Sequence, residues 1–180
     1  LDFPEAGAEN LAVAVGDSTG HGISAALFMT TVRAMLRVRI LQGGSLGDAL
    51  SDVNRLLCYD TDRTGDFMTL FVMMFNTGDG RIRWVRAGHA PALVYDRLTD
   101  SFEELRGEGI ALGMLPDYNY TEYRYDNWTD MKMLFIGTDG IWEAPNQSGE
   151  MFGMERLYGV LRKHAQSSPH EILDAVMLAV

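Results

Sequence analysis

Leu11-Ala12-Val13-Ala14-Val15-Gly16-Asp17-Ser18-Thr19-Gly20-His21-Gly22 is the stretch on which the reading of this chain turns. Its five apolar residues, bounded by Asn10 and Gly16, read as a short strand buried on both faces. A glycine-rich turn from Gly16 to Gly22 follows, and Ile23 to Leu41 then carries a helical pattern that Gly43-Gly44 stops. A strand that hands a carboxylate to a glycine-rich turn at a helix start places Asp17 beside free backbone N–H groups. A hard cation held by Asp17, or a phosphate near the helix start, suits such a corner. So does a plain tight turn in which Asp17 or Thr19 caps the helix, and for an isolated turn the plain reading has the better of it.

Two hydrolase readings compete at the same place. Gly16-Asp17-Ser18-Thr19-Gly20 satisfies G-x-S-x-G, and Asp139 with His164 or His170 follows in the order of a serine triad. Against it, no glycine-rich oxyanion segment precedes this strand. Gly-Asp-Ser also resembles the opening block of small esterases of the GDS type, but their Asp-x-x-His near the C-terminus is missing. A phosphate-binding P-loop is excluded, because no Gly-Lys-Ser/Thr ends the turn.

Working outward, Ser45 with Asp48 resembles a capping box, and Leu46, Leu50, Val53 and Leu57 line one face of a second helix ending near Tyr59. Residues 67–75 read as a continuous apolar strand interrupted only by Thr69, with a turn at residues 76–80 and strands at 81–87 and 92–95. Residues 106–117 read as a loop, and 118–125 and 131–136 as two further strands. From Gly153 the pattern is helical, broken at Ser167-Ser168-Pro169. Helices, a run of meandering strands, then helices predict an α+β fold with antiparallel sheets.

Composition narrows the function classes. The chain has 180 residues, 47% of them hydrophobic and 22% charged, which suits a folded core and not a disordered segment. Lys+Arg 15 against Asp+Glu 25 leaves a net charge of -10, with Lys132 and Lys163 the only lysines, so nucleic acid is a poor partner. The single cysteine, Cys58, excludes an internal disulfide and a thiolate metal cluster, and points to a reducing, cytoplasmic setting. No apolar run approaches the roughly 20 residues of a membrane span, so no membrane contact by this domain is expected.

A second segment, Leu134-Phe135-Ile136-Gly137-Thr138-Asp139-Gly140-Ile141-Trp142-Glu143-Ala144, repeats the theme of an apolar strand ending near a carboxylate among glycines. If the two strands lie side by side, Asp17 and Asp139 converge, and two divalent ions there would activate water and clamp a phosphoryl group. Together with Ala25-Ala26-Leu27-Phe28-Met29, Phe67-Met68-Thr69-Leu70-Phe71, Ala87-Gly88-His89-Ala90-Pro91 and Met151-Phe152-Gly153 followed by Glu155-Arg156-Leu157, these blocks resemble the metal-dependent (type 2C, or PPM) protein serine/threonine phosphatases, in their bacterial SpoIIE-like branch. Six blocks stand in the family's order over nearly the whole chain.

The resemblance implies an αββα sandwich, two antiparallel sheets flanked by helical pairs, with a binuclear Mn²⁺ or Mg²⁺ site. Asp17 matches the carboxylate that bridges both cations, the carbonyl of Ser18 a neighbouring ligand, and Asp139 a ligand of one ion. The implied reaction is hydrolysis of phosphoserine or phosphothreonine in a protein substrate, typically a phosphorylated anti-sigma-factor antagonist. The family's opening Gly-Gly-Asp block and closing Asp-Asp block do not occur in residues 1–180, so two of four expected acidic positions are visible. The expectation is a single phosphatase domain over 1–180, trimmed at both ends, the alternative being a non-catalytic module of the same fold.

The histidines divide. His21 is a candidate proton donor to the leaving serine oxygen, with a structural role at the helix start as the competing reading. His89 reads as a turn residue bonded to backbone, and His164 and His170 as solvent-facing. In the long helix Ile23, Leu27, Thr30, Ala34 and Val38 form one stripe, which Phe28, Met29, Val32 and Met35 widen. That breadth predicts a docking face for a second protomer or a regulatory domain, the competing reading being simple burial under the second helix.

Overall fold

The computed structural model describes residues 2–3, 10–62 and 64–180. The chain divides into two compact units, Leu1–Pro91 with Arg106–Thr129, and Ala92–Leu105 with Asp130–Val180.

The first unit carries a five-stranded antiparallel sheet and two helices. In chain order these are β1 (Asp2–Phe3), β2 (Asn10–Ser18), α1 (Ile23–Leu41), α2 (Leu46–Thr61), β3 (Met68–Asn76) and β4 (Ile82–Ala87), with β7 (Tyr123–Tyr125) returning later. The sheet order is β1-β2-β3-β4-β7. Ala12 and Ala14 of β2, with Leu70, Val72 and Met74 of β3, alternate onto one face, where Val32, Leu36 and Ile40 of α1 and Leu46, Leu50, Val53 and Leu57 of α2 cover them. The expected face of α2 is therefore the buried one, and its start is capped as expected, the Ser45 hydroxyl accepting the Asp48 N–H at 3.0 Å.

The second unit holds β5 (Ala92–Asp96), β6 (Ser101–Leu105), β8 (Lys132–Phe135), α3 (Met154–Lys163) and α4 (Pro169–Ala179). Its antiparallel sheet runs β6-β5-β8. Leu93 and Phe135 pack with Leu157 and Leu161 of α3, Ile172 and Val176 of α4, and Phe152. At the β5–β6 turn, Asp100 accepts Tyr95 Oη–H at 2.8 Å and the Arg162 guanidinium at 2.5 Å. Arg162 beside it holds the Asp100 carboxyl below the ordinary carboxylate range. The fold class is α+β with two antiparallel sheets and a helical pair in each unit, as expected from the order of elements. Among the described residues, no helix is long and apolar enough to cross a membrane.

Several details depart from the expectations. β2 does not end at Val15. Gly16, Asp17 and Ser18 remain paired to Leu70, Thr69 and Met68. Gly16 serves here for close approach, since a Cβ would sit 2.8 Å from the Thr69 carbonyl oxygen. Nor is β2 buried on both faces, since its inward alanines alternate with residues such as Leu11, which is exposed. Of the strand expected over 118–125, only Tyr123–Tyr125 pairs, while Tyr120 turns into the core and donates its hydroxyl to the Ile110 carbonyl at 3.0 Å.

The loop between β6 and β7 is fixed from α2. Asn54, fully buried, donates to the Leu115 carbonyl at 2.7 Å and accepts the Gly113 N–H at 2.9 Å. Asn54→Leu would leave both backbone groups unpaired beneath the helix, and is expected to lower unfolding free energy by about 2–4 kcal/mol in urea denaturation.

Candidate active site

Asp17 sits in the last turn of pleat of β2, its side chain exposed. The residues that follow are locked to the neighbouring strand start and not to the helix. The Thr19 N–H donates to the Phe67 carbonyl at 3.0 Å, and the Thr19 hydroxyl accepts the Phe67 N–H at 3.1 Å. Neither Asp17 nor Thr19 caps α1, whose first position is preceded by Gly22 with no side-chain cap. The plain capping reading of this corner is thereby corrected: Thr19 spends its hydroxyl on β3. His21 is exposed in the loop between Ser18 and Gly22, one residue before the helix cap.

The partner position across the strand pair adds two residues that sequence reasoning left in other roles. Thr69 lies directly opposite Asp17. Its hydroxyl is 2.9 Å from Nδ1 of His89 and 3.5 Å from the Asp17 carbonyl oxygen. His89 lies in the connection between β4 and β5, as expected of a turn residue, but its ring is buried and meets the Thr69 side chain. Its own carbonyl accepts Arg86 Nη1–H at 2.7 Å, and Arg86 Nε–H donates to the Gly107 carbonyl at 2.7 Å. The available signal was Thr69 itself, one hydroxyl inside an apolar strand.

Asp139 belongs to the second unit, and its corner is described by itself. β8 ends at Phe135, and Asp139 stands exposed in the turn beyond, where the Glu143 N–H donates to the Asp139 carbonyl at 2.8 Å. That turn is anchored by the next block of sequence. The Gly153 N–H donates to the Trp142 carbonyl and the Phe152 N–H to that of Ala144, both at 2.9 Å, and Phe152 is buried in the unit's core.

The donor set at the first corner is hard oxygen, the Asp17 carboxylate with the adjoining Ser18 carbonyl, which fits a Mg²⁺- or Mn²⁺-type cation and not a thiophilic one. Among the described residues, no cluster of three or more His, Cys, Asp or Glu side chains gathers to hold a metal.

The chain belongs to the Stage II sporulation protein E (SpoIIE) family, whose description matches residues 7–180. Among curated relatives it is 27% identical to the phosphoserine phosphatase RsbU of Bacillus subtilis over 93% of this chain and 49% of that protein. It is 29% identical to protein IcfG of Synechocystis over 97% of this chain and 32% of that one. The chain thus spans about half or less of the length of these relatives. In fold it is similar to the SiaA-PP2C domain of Pseudomonas aeruginosa, with TM-score 0.82, 20% identity and coverage of 96% and 68% of the two chains. The PP2C phosphatase domain of Bacillus subtilis SpoIIE gives TM-score 0.79, 20% identity and coverage of 95% and 49%.

Proposed function

We propose that this chain is the catalytic part of a cytoplasmic, metal-dependent phosphoprotein phosphatase that hydrolyses phosphoserine or phosphothreonine, with a phosphorylated anti-sigma-factor antagonist or similar signalling protein as substrate. The observation that carries this is membership of the SpoIIE family over 7–180, with Asp17 delivered, exposed, to the end of a paired strand. Asp17, the Ser18 carbonyl and Asp139 are the proposed ligands of two divalent cations, Mn²⁺ or Mg²⁺. Such cations supply charge stabilisation for a phosphoryl group and lower the pKa of water. The chain's own contribution is to hold the Asp17–Ser18 dipeptide still through the Thr19 and Thr69 contacts and to present His21, solvent-accessible, as a proton donor to the leaving oxygen.

Phosphate release from p-nitrophenyl phosphate with Mn²⁺, and with the metal chelated, tests the reading. Turnover that disappears with chelation supports it, whereas no turnover at any Mn²⁺ concentration favours the non-catalytic, partner-binding module of the same fold.

A homodimer or regulatory-domain contact through Ile23–Leu41 belongs to the same proposal. Ile23, Leu27 and Val38 of α1 are 81%, 64% and 59% exposed, so that stripe looks outward and is not buried under α2, while Val32, Leu36 and Ile40 face the core. A charge at Val32 would test folding only. Leu27→Glu with Val38→Glu is expected to convert a dimer to a folded monomer by light scattering, and an unchanged dimer mass would exclude α1 as the dimer face.

A further inference from the structure

We propose that Thr69 and His89 form a positioning pair for the Asp17–Ser18 corner: the buried imidazole orients the Thr69 hydroxyl, and that hydroxyl holds the Asp17 carbonyl. The inference rests on the proposed role of Asp17 in holding a divalent cation, and it extends that site by two residues that act through Asp17.

A threonine hydroxyl has one hydrogen to donate and two lone pairs. The Thr69 oxygen has two neighbours, Nδ1 of His89 at 2.9 Å and the Asp17 carbonyl oxygen at 3.5 Å. A carbonyl oxygen can only accept, so contact with Asp17 requires the hydroxyl to donate in that direction. His89 Nδ1 must then carry the proton that the hydroxyl accepts. The pair works in one tautomer, with N–H on Nδ1, and fails in the other.

The surroundings are built to keep the imidazole in place. His89 is 3% exposed. Its backbone is held by Arg86, whose guanidinium spans the His89 and Gly107 carbonyls, and the preceding Gly88 N–H donates to the Gly109 carbonyl at 2.9 Å. Burying a histidine is an expensive way to fill space. An apolar side chain would pack the turn as well. What the imidazole supplies and an apolar residue lacks is a fixed donor aimed at the hydroxyl opposite Asp17. On the other side of the dipeptide, Thr19 is fastened to the Phe67 backbone. Asp17 and Ser18 are thus held between two threonine locks, one of which is backed by a buried ring.

Two measurements decide it. In the ¹⁵N-labelled, metal-free chain, long-range ¹H–¹⁵N correlations of His89, assigned by their loss in His89→Asn, are expected to show a proton on Nδ1. A proton on Nε2 alone would make Nδ1 the acceptor, turn the hydroxyl away from Asp17 and overturn the pair. In Mn²⁺ titrations, Thr69→Val is expected to weaken binding about tenfold and Thr69→Ser by no more than about twofold, as for groups that orient a ligand. Val binding as tightly as the parent, or Ser as weakly as Val, would overturn the role of the hydroxyl. A parent chain that binds no Mn²⁺ would sink the cation reading instead. The His89 tautomer and the Asp17 and Ser18 amide shifts of Thr69→Val would then still decide the pair, unchanged shifts counting against it.

Discussion

Asp17→Asn is expected to reduce Mn²⁺-dependent phosphate release by about a hundredfold or more, because a cation's electrostatic contribution to phosphoryl transfer is worth several kcal/mol. The amide keeps the shape of the carboxylate and removes its charge, so the loss reports charge and not packing. Stability should move by no more than about 0.5 kcal/mol, as for an ordinary surface substitution. Asp17 is exposed at the strand end, and among the described residues its carboxylate makes no hydrogen bond or ion pair. In a chain of net charge -10, removing one negative charge does not weaken folding by self-repulsion. Ser18→Ala separates the metal reading from a serine nucleophile. It keeps the backbone carbonyl and deletes only the hydroxyl, so the loss should be far smaller than for Asp17→Asn. If Ser18→Ala abolishes turnover and Asp17→Asn does not, the corner is a nucleophile elbow after all.

What was legible in the sequence was whatever local punctuation and periodicity control. Ile23 to Leu41 is helical over the expected span, because Gly22 and the Gly43-Gly44 pair, all at positive φ, bound it. Ser45 and Asp48 mark the start of α2 for the same local reason. What was not legible depends on partners distant in sequence. β2 continues through Asp17 because β3 offers Thr69 and Met68 to pair with, and Gly16 reads as a turn until the strand beside it is known. β6, Ser-Phe-Glu-Glu-Leu, carries two charges on an edge strand and gave no strand signal. The outer stripe of α1 looks as apolar as a core face, and only packing tells which side Val32 and Leu36 take. The same holds for the site. The blocks around Asp17 and Asp139 stand out as strand-then-carboxylate patterns, whereas the contact between Thr69 and His89 joins residues twenty apart and leaves no periodic trace.

Gly109→Ala is expected to be the most destabilising single-methyl change in the first unit, lowering unfolding free energy by about 3 kcal/mol or more, at the upper end of what overpacking does. Gly109 lies where the loop after β6 runs flat across the end of β4. A Cβ there would overlap the Arg86 carbonyl oxygen and stand 3.4 Å from the Ala87 Cα. The obstacle is backbone inside a paired strand, so no rotamer change relieves it. Retreat of the loop is opposed from three directions. The Gly109 carbonyl holds the Gly88 N–H, Arg86 holds the Gly107 carbonyl, and Leu112 exchanges two backbone hydrogen bonds with Met68, at 2.8 and 3.0 Å. Displacing the loop therefore also disturbs the start of β3 and the His89 turn, and Mn²⁺ affinity should fall together with stability. Gly159→Ala gives the opposite sign as a control. It lies inside α3, a Cβ there meets nothing within 4 Å, and alanine's better helix propensity should raise stability by about 0.5–1 kcal/mol. Urea midpoints of the two variants read this directly. A Gly109→Ala protein as stable as the parent would mean that the loop does not lie against Arg86, and the support for the His89 turn would go with it.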